Sequence, residues 1–201
     1  MMQLILNDAK KQKVLTDSSV PISPYNLFDG TSDFSGTSWT NLDQYITDSW
    51  VSPFGNQSRQ RKGAWWGLSQ LKDLKVGQIY TISASVFVDT NSSSDEFIGV
   101  YGEDGKGNRI SSNTKPLLYL KNLPADWITI KHTFTVPKNS TYKVRFESNS
   151  NQVNIHWADL MLNKGAVALD WNYSLNDLRS RLGGVKPSYR LYYAISLKEV
   201  A

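Results

Sequence analysis

Residues 80–89, YTISASVFVD, decide the fold class. Ile82, Ala84, Val86 and Val88 fall on one side of an extended chain and Thr81, Ser83, Ser85 and Phe87 on the other. That period of two is what a strand with one buried face requires. The pattern repeats outward in both directions. Residues 97–103 (FIGVYGE) put Ile98 and Val100 inward and Phe97 and Tyr101 outward, then turn through the glycine-rich DGKGN of 104–108. Residues 127–136 (WITIKHTFTV) align Ile128, Ile130, His132 and Phe134 against Thr129, Lys131 and Thr133. YKVRFE at 142–147 and VNIHWADLML at 153–162 complete the set. Short alternating runs broken by Gly, Asn, Asp and Ser clusters are the signature of an antiparallel sandwich or barrel, so the expected fold is all-β. Helical periodicity is confined to 174–182, where Ser174 is placed to cap a short helix ending at Gly183-Gly184. The tail from Ser188 to Val200 alternates again and predicts one more strand.

Composition narrows the chemistry. The 201 residues contain no cysteine and two histidines, His132 and His156, 24 positions apart. This excludes a disulfide framework, a thiol nucleophile and a zinc site built from closely spaced ligands. No GxSxG elbow and no phosphate-cradling GxxxxGK[ST] loop is present. Asp89, Glu96, Glu103, Glu147 and Asp159 stand near strands, where carboxylates are usually solvated or paired, so no catalytic pair is assigned and an enzyme is not expected. A net charge of +4, scattered along the chain, gives no nucleic-acid stripe. No run approaches the roughly 18 apolar residues of a membrane-spanning helix, and residues 1–13 do not form a secretory signal.

The positive signal is aromatic and polar together. Seven Trp, ten Tyr and seven Phe accompany 24 Ser, 15 Asn and 12 Thr. Rings stack on the CH faces of sugars while hydroxyls and amides bond their hydroxyl groups. Trp65 and Trp66 are adjacent in GAWWGLSQL, and in a strand they point to opposite faces; the parity of Leu68 turns Trp66 inward and leaves Trp65 exposed. With Trp65 as platform, the outward Phe87, Phe97 and Tyr101 are expected to line one sheet face. Trp50, Gln57, Arg59, Gln60 and Arg61, in an irregular stretch from 32 to 62, supply a rim. Ser83, Ser85, Asn154 and His156 are the expected hydroxyl partners, and Trp157 and Trp171 read as core or plug residues.

Taken in order, Asn26-Leu27-Phe28, DGTSDFSGTSW (29–39), GLSQLKDLKVGQIYTISASV (67–86), DWITIKHTFTVP (126–137) and IHWADLMLNKGAVALDW (155–171) resemble jelly-roll carbohydrate-binding modules of the family 4 and family 9 kind. The nearest flavour is that of tail and baseplate proteins of phages infecting Gram-positive bacteria, whose modules close with a leucine-rich strand, a Lys-Gly turn and an Asp-Trp segment, as in Leu160–Gly165 and Leu169–Trp171 here. The resemblance covers residues 26–177 and implies a two-sheet β-sandwich between an N-terminal extension (1–25) and a C-terminal one (178–201). It also implies non-catalytic binding of a host cell-wall saccharide, contacts with other phage tail proteins, a homo-oligomer, and a place in the virion or otherwise outside the cell. A structural calcium ion is part of the same implication, with Asp159 near the last strand and Asn26 or Asp29 near the first; Gly30-Thr31 stands where the family places a glutamate. Two other classes share these features. One is a structural baseplate component whose exposed aromatics meet proteins. The other is the accessory module of a glycoside hydrolase, against which the length argues.

Overall fold

The computed structural model describes residues 2–8, 11–17, 25–92, 95–137 and 141–183. Its strands in chain order are β1 (Met2–Asp8), β2 (Lys11–Asp17), β3 (Trp39–Thr40), β4 (Ile46–Val51), β5 (Gln57–Lys62), β6 (Ser69–Gln70), β7 (Lys72–Asp73), β8 (Ile79–Val88), β9 (Phe97–Asp104), β10 (Arg109–Tyr119), β11 (Ile128–Thr135), β12 (Thr141–Ser148) and β13 (Asn154–Lys164). One helix, α1 (Leu175–Arg181), follows. A five-stranded antiparallel sheet, ordered β11-β8-β13-β5-β4, faces a four-stranded sheet ordered β10-β9-β12-β7. Two ribbons, β1-β2 and β3-β6, stand outside the two layers.

The alternation read from residues 80–89 sets the core. Ile82, Ala84, Val86 and Val88 from β8 meet Ile98 and Val100 from β9 and Val144 and Phe146 from β12, and all are buried. Ile155 and Trp157 join them from β13, as parity required. His132 lies on the inward side of β11, stacked on Phe134 at 6.4 Å, and burial holds its imidazole below the usual range. At the 104–108 hairpin the Asp104 carboxylate accepts from the Asn108 side-chain amide and from the backbone N–H of Lys106 and Asn108. The Asn108 bond is the main reason this carboxyl lies below its ordinary value. Ser174 caps α1 in a capping box with Asp177, and Gly183 leaves the helix at a φ of 64°.

Three readings are corrected. The stretch 32–62 is not irregular: it holds the edge pair β4 and β5. The side of β8 expected to be wet is covered, with Thr81, Ser83, Ser85 and Phe87 all buried. Trp65 and Trp66 are not in a strand. Both adopt left-handed backbone, at φ of 61° and 59°, so pleat parity does not apply and both rings are exposed, at 52% and 58%. Within the N-terminal extension β1 pairs with β2, while 18–24 and the strand expected at 188–200 lie outside the described residues.

The turn that carries the two tryptophans is tied down along its backbone. Ala64 N–H donates to Asn151 Oδ1, Trp65 N–H to the Ser148 carbonyl, Asn41 Nδ2 to the Gly67 carbonyl and the Tyr45 hydroxyl to the Trp66 carbonyl. Gly67 presses on β12, and a Cβ added there meets the Phe146 carbonyl oxygen head-on. Gly67→Ala is therefore expected to lower stability by about 1–3 kcal/mol through forced backbone movement. Urea unfolding measures it, and a loss within experimental error of zero contradicts the close approach.

Candidate functional site

The outer face of the five-stranded sheet, the side turned away from the core, carries a cavity of about 190 Å³. Its floor comes from β8 and β11, which supply Ser83, Ser85, Thr129 and Lys131 at the non-core positions of their alternation. Phe54, Leu169 and Trp171 wall it, and Asp170 and Asp159 complete the polar lining. Trp171 is fixed by its indole N–H, which donates to Thr31 Oγ1 at 2.9 Å, and its ring stands 6.3 Å from that of Phe54. Asp159 reaches the cavity because β13 breaks register with β8 between Ala158 and Met161. At that bulge Asp159 takes φ 53°, a left-handed conformation that Asp and Asn tolerate better than other side chains, and its carboxylate is re-aimed to the outer side. Oδ1 accepts from Ser52 Oγ and Asn56 Nδ2, both at 2.6 Å. Oδ2 is buried without a hydrogen-bond partner in a side chain only 3% exposed.

A second cluster lies about 13 Å further along β8, four strand residues from Ser83 to Phe87. Trp50, 41% exposed on the edge strand β4, lies over Phe87 at 4.2 Å and over the His156 ring at 4.9 Å. Trp127 adds a further ring 5.9 Å from Phe87. Beneath Trp50, His156 Nδ1 meets Asp48 Oδ2 at 2.6 Å and Nε2 meets Asp89 Oδ1 at 2.7 Å. Ser58 Oγ donates to Asp48, and Asn154 Nδ2 donates to Asp89 and to Gln60 Oε1. The result is a rigid ring platform on a polar support drawn from β4, β5, β8 and β13.

The sequence-derived residues divide between these clusters and other places. Ser83 and Ser85 line the cavity, while Phe87, Trp50, Asn154 and His156 build the platform. Phe97 and Tyr101 do not share a face with Phe87, because they belong to β9 in the opposite sheet, where the guanidinium of Arg145 lies 4.5 Å from the centre of the Tyr101 ring. Arg59 turns to the side away from Ser58 and Gln60, over Phe34 at 5.6 Å, and donates to the Asp33 carbonyl. Gln57 is exposed at the start of β5, its N–H bonded to the Ser32 carbonyl. Trp65 sits on the turn after β5 beside Arg61, Ser148 and Trp157, outside both clusters. Sequence reasoning missed Asp48, Phe54, Trp127, Lys131 and Asp170 as site residues. Lys131 and Trp127 were accessible to it, being on the wet side of the run 127–136 that it identified; the others stand on loops or on an unrecognised edge strand, and Trp171, read as a core or plug residue, is a wall of the cavity.

Two of the residues named for calcium, Asn26 and Asp29, have protein partners of their own. Asn26 spends its amide on Thr31 Oγ1 and the Leu160 carbonyl and its Oδ1 on the N–H groups of Phe28 and Leu162. Asp29 pairs with Lys72 at 3.0 Å; burial raises its carboxyl, and bonds from Ser174, Lys72 and Asn176 outweigh that and hold it below the ordinary value. Among the described residues no group of three or more His, Asp or Glu side chains is placed to hold a metal ion.

Solved structures match this architecture. The C-terminal family 22 carbohydrate-binding module of Clostridium thermocellum Xyn10B matches with a TM-score of 0.53 at 14% identity, over 75% of this chain and 100% of that one. A xylan-binding domain of the same family 22 matches with a TM-score of 0.50 at 17% identity, over 72% of this chain and 98% of that one. The chain has the β-sandwich fold of carbohydrate-binding modules. The likeness is one of fold. No protein-family model matches the sequence, and no curated protein matches it.

Proposed function

We propose that this protein is a non-catalytic module that binds a saccharide across the outer face of its five-stranded sheet. The observation that carries the reading is the cavity walled by Phe54 and Trp171 over a floor of hydroxyl, carboxylate and ammonium groups. Rings for the CH faces and polar groups for the hydroxyls are what a sugar requires. Three carboxylates of the face are engaged in holding structure, Asp48 and Asp89 on His156 and Asp159 through Oδ1, which favours recognition over acid–base chemistry. The structures of matching fold are described as binding xylan or as carbohydrate-binding modules, which agrees with this reading. The sequence resemblance to modules of phage tail and baseplate proteins makes the cell-wall polysaccharide of a Gram-positive host the first target and the virion the expected location. A shallow site of this kind binds weakly, and useful adhesion then comes from several copies.

The test is calorimetric titration of the purified protein with xylan, cellulose-type and cell-wall polysaccharides, alongside Trp171→Ala and Trp50→Ala. Saturable binding is expected, weakened roughly tenfold by either substitution with the fold intact. Absence of binding to every saccharide overturns the reading. A structural baseplate role is the second reading, favoured by the two exposed indoles of Trp65 and Trp66 on their braced turn. Self-assembly or capture of tail proteins lost in Trp65→Ala supports it.

A further inference from the structure

Asp159 presents a problem of satisfaction that the general reading leaves open. Its Oδ1 already holds two donors, yet its Oδ2 is buried with none, and the residue is one of those that line the cavity. A buried carboxylate oxygen left unpaired is costly, and a carboxylate can only accept. The same lining holds a second carboxylate, Asp170, and one cation, Lys131. The cavity therefore has one negative charge in excess and asks its ligand for donors.

We propose that the cavity selects a saccharide carrying a free amino group, whose ammonium offsets the carboxylates of Asp170 and Asp159; this rests on the saccharide-binding reading above. A sugar hydroxyl brings a single donor and no charge, whereas an ammonium brings three donors and a charge that matches the excess. N-acetylation removes the charge and leaves one amide N–H. A uronic acid sets its carboxylate against Asp159 and pairs only with Lys131. General attraction does not explain such a preference, because the chain carries a net charge of +4 and repels cationic glycans at long range.

The experiment titrates the full chain at mildly acidic pH with length-matched β-1,4 oligomers of glucosamine, N-acetylglucosamine and glucose. The glucosamine oligomer is expected to bind at least about tenfold more tightly than either of the others, the range of a charge-assisted bond. Asp159→Asn keeps Oδ1 to accept from Ser52 and Asn56, suits the left-handed backbone, and puts an amide N–H₂ where the lone oxygen was. It is expected to abolish the preference, so that the glucosamine and glucose oligomers then bind within about twofold of each other. Lys131→Ala, on an exposed strand position, is expected to widen the preference severalfold by removing the opposing charge. Equal or tighter binding of the neutral oligomers, still lost in Trp171→Ala, overturns the amino-sugar inference and leaves the saccharide reading standing. Failure of all three oligomers and of every polysaccharide overturns both.

Discussion

Asn26→Ala is expected to cost about 3–6 kcal/mol of folding stability. The side chain is buried and makes four hydrogen bonds, giving its amide to Thr31 Oγ1 and the Leu160 carbonyl and taking the N–H groups of Phe28 and Leu162 on Oδ1. Truncation strands three backbone polar groups where water does not reach, at about 1–3 kcal/mol each. These bonds span from residue 26 to residues 160–162, so they clip the entry of the domain onto β13, next to the bulge that aims Asp159. The backbone repeats the connection: Leu27 N–H donates to the Leu162 carbonyl and Asn26 bridges Ser174. Asn26→Asp keeps the two accepted bonds but buries a carboxylate whose second oxygen faces the Leu160 carbonyl, so it is expected to cost at least as much as the alanine. Urea unfolding of both variants gives the comparison. A loss below about 1 kcal/mol for Asn26→Ala shows that the strand ends are held by packing alone.

How much of this was legible depended on whether a residue's role was local. The inward and outward positions of β8, β9, β11 and β12, and of β13 as far as its bulge at Ala158–Met161, followed from alternation, because each strand buries one side against the opposite sheet. The cap at Ser174 followed from spacing, because a capping box closes within three residues. β5 was invisible: QSRQRK has no apolar side to announce it, and it becomes a strand because β13 and β4 pair with it on either side. Trp65 and Trp66 were misread for a related reason. Their left-handed backbone is set by bonds to Asn41, Tyr45, Ser148 and Asn151, none of which lies in the stretch that was read. The cavity was half legible. Ser83, Ser85 and Asp159 were named for reasons of parity or resemblance, but that they meet Phe54, Lys131 and Trp171 is a fact of sheet order. His156 was named as a hydroxyl partner, but both its ring nitrogens meet Asp48 and Asp89, which lie 108 and 67 residues away in sequence.

The replacement of that histidine by leucine is expected to be the most damaging change to the site that leaves the cavity itself untouched. His156 is buried and stands between two carboxylates, each bonded to one of its ring nitrogens. Each ring nitrogen ties one carboxylate, so the imidazole both anchors Asp48 and Asp89 and keeps them apart. Leucine fills a similar volume and leaves Asp48, which is nearly buried, and the half-exposed Asp89 without the group that separates them. Removing one partner of a buried charged cluster costs about 3–5 kcal/mol, and the partial exposure of Asp89 puts this case toward the lower end. Trp50 also loses the ring beneath it, and Asp48, which accepts the Trp50 N–H, loses its anchor. The platform should then loosen, seen as broadening of the Trp50 indole signal by NMR and a weakening of saccharide binding similar to that of Trp50→Ala. Adding Asp48→Asn and Asp89→Asn to the leucine variant removes the stranded charges, and most of the stability is expected to return while the platform stays weak. That separation distinguishes electrostatic support from simple filling of space. If the single leucine variant loses less than about 0.5 kcal/mol, the three side chains do not act as a charged unit and the platform is held by the Trp50–Phe87 contact alone.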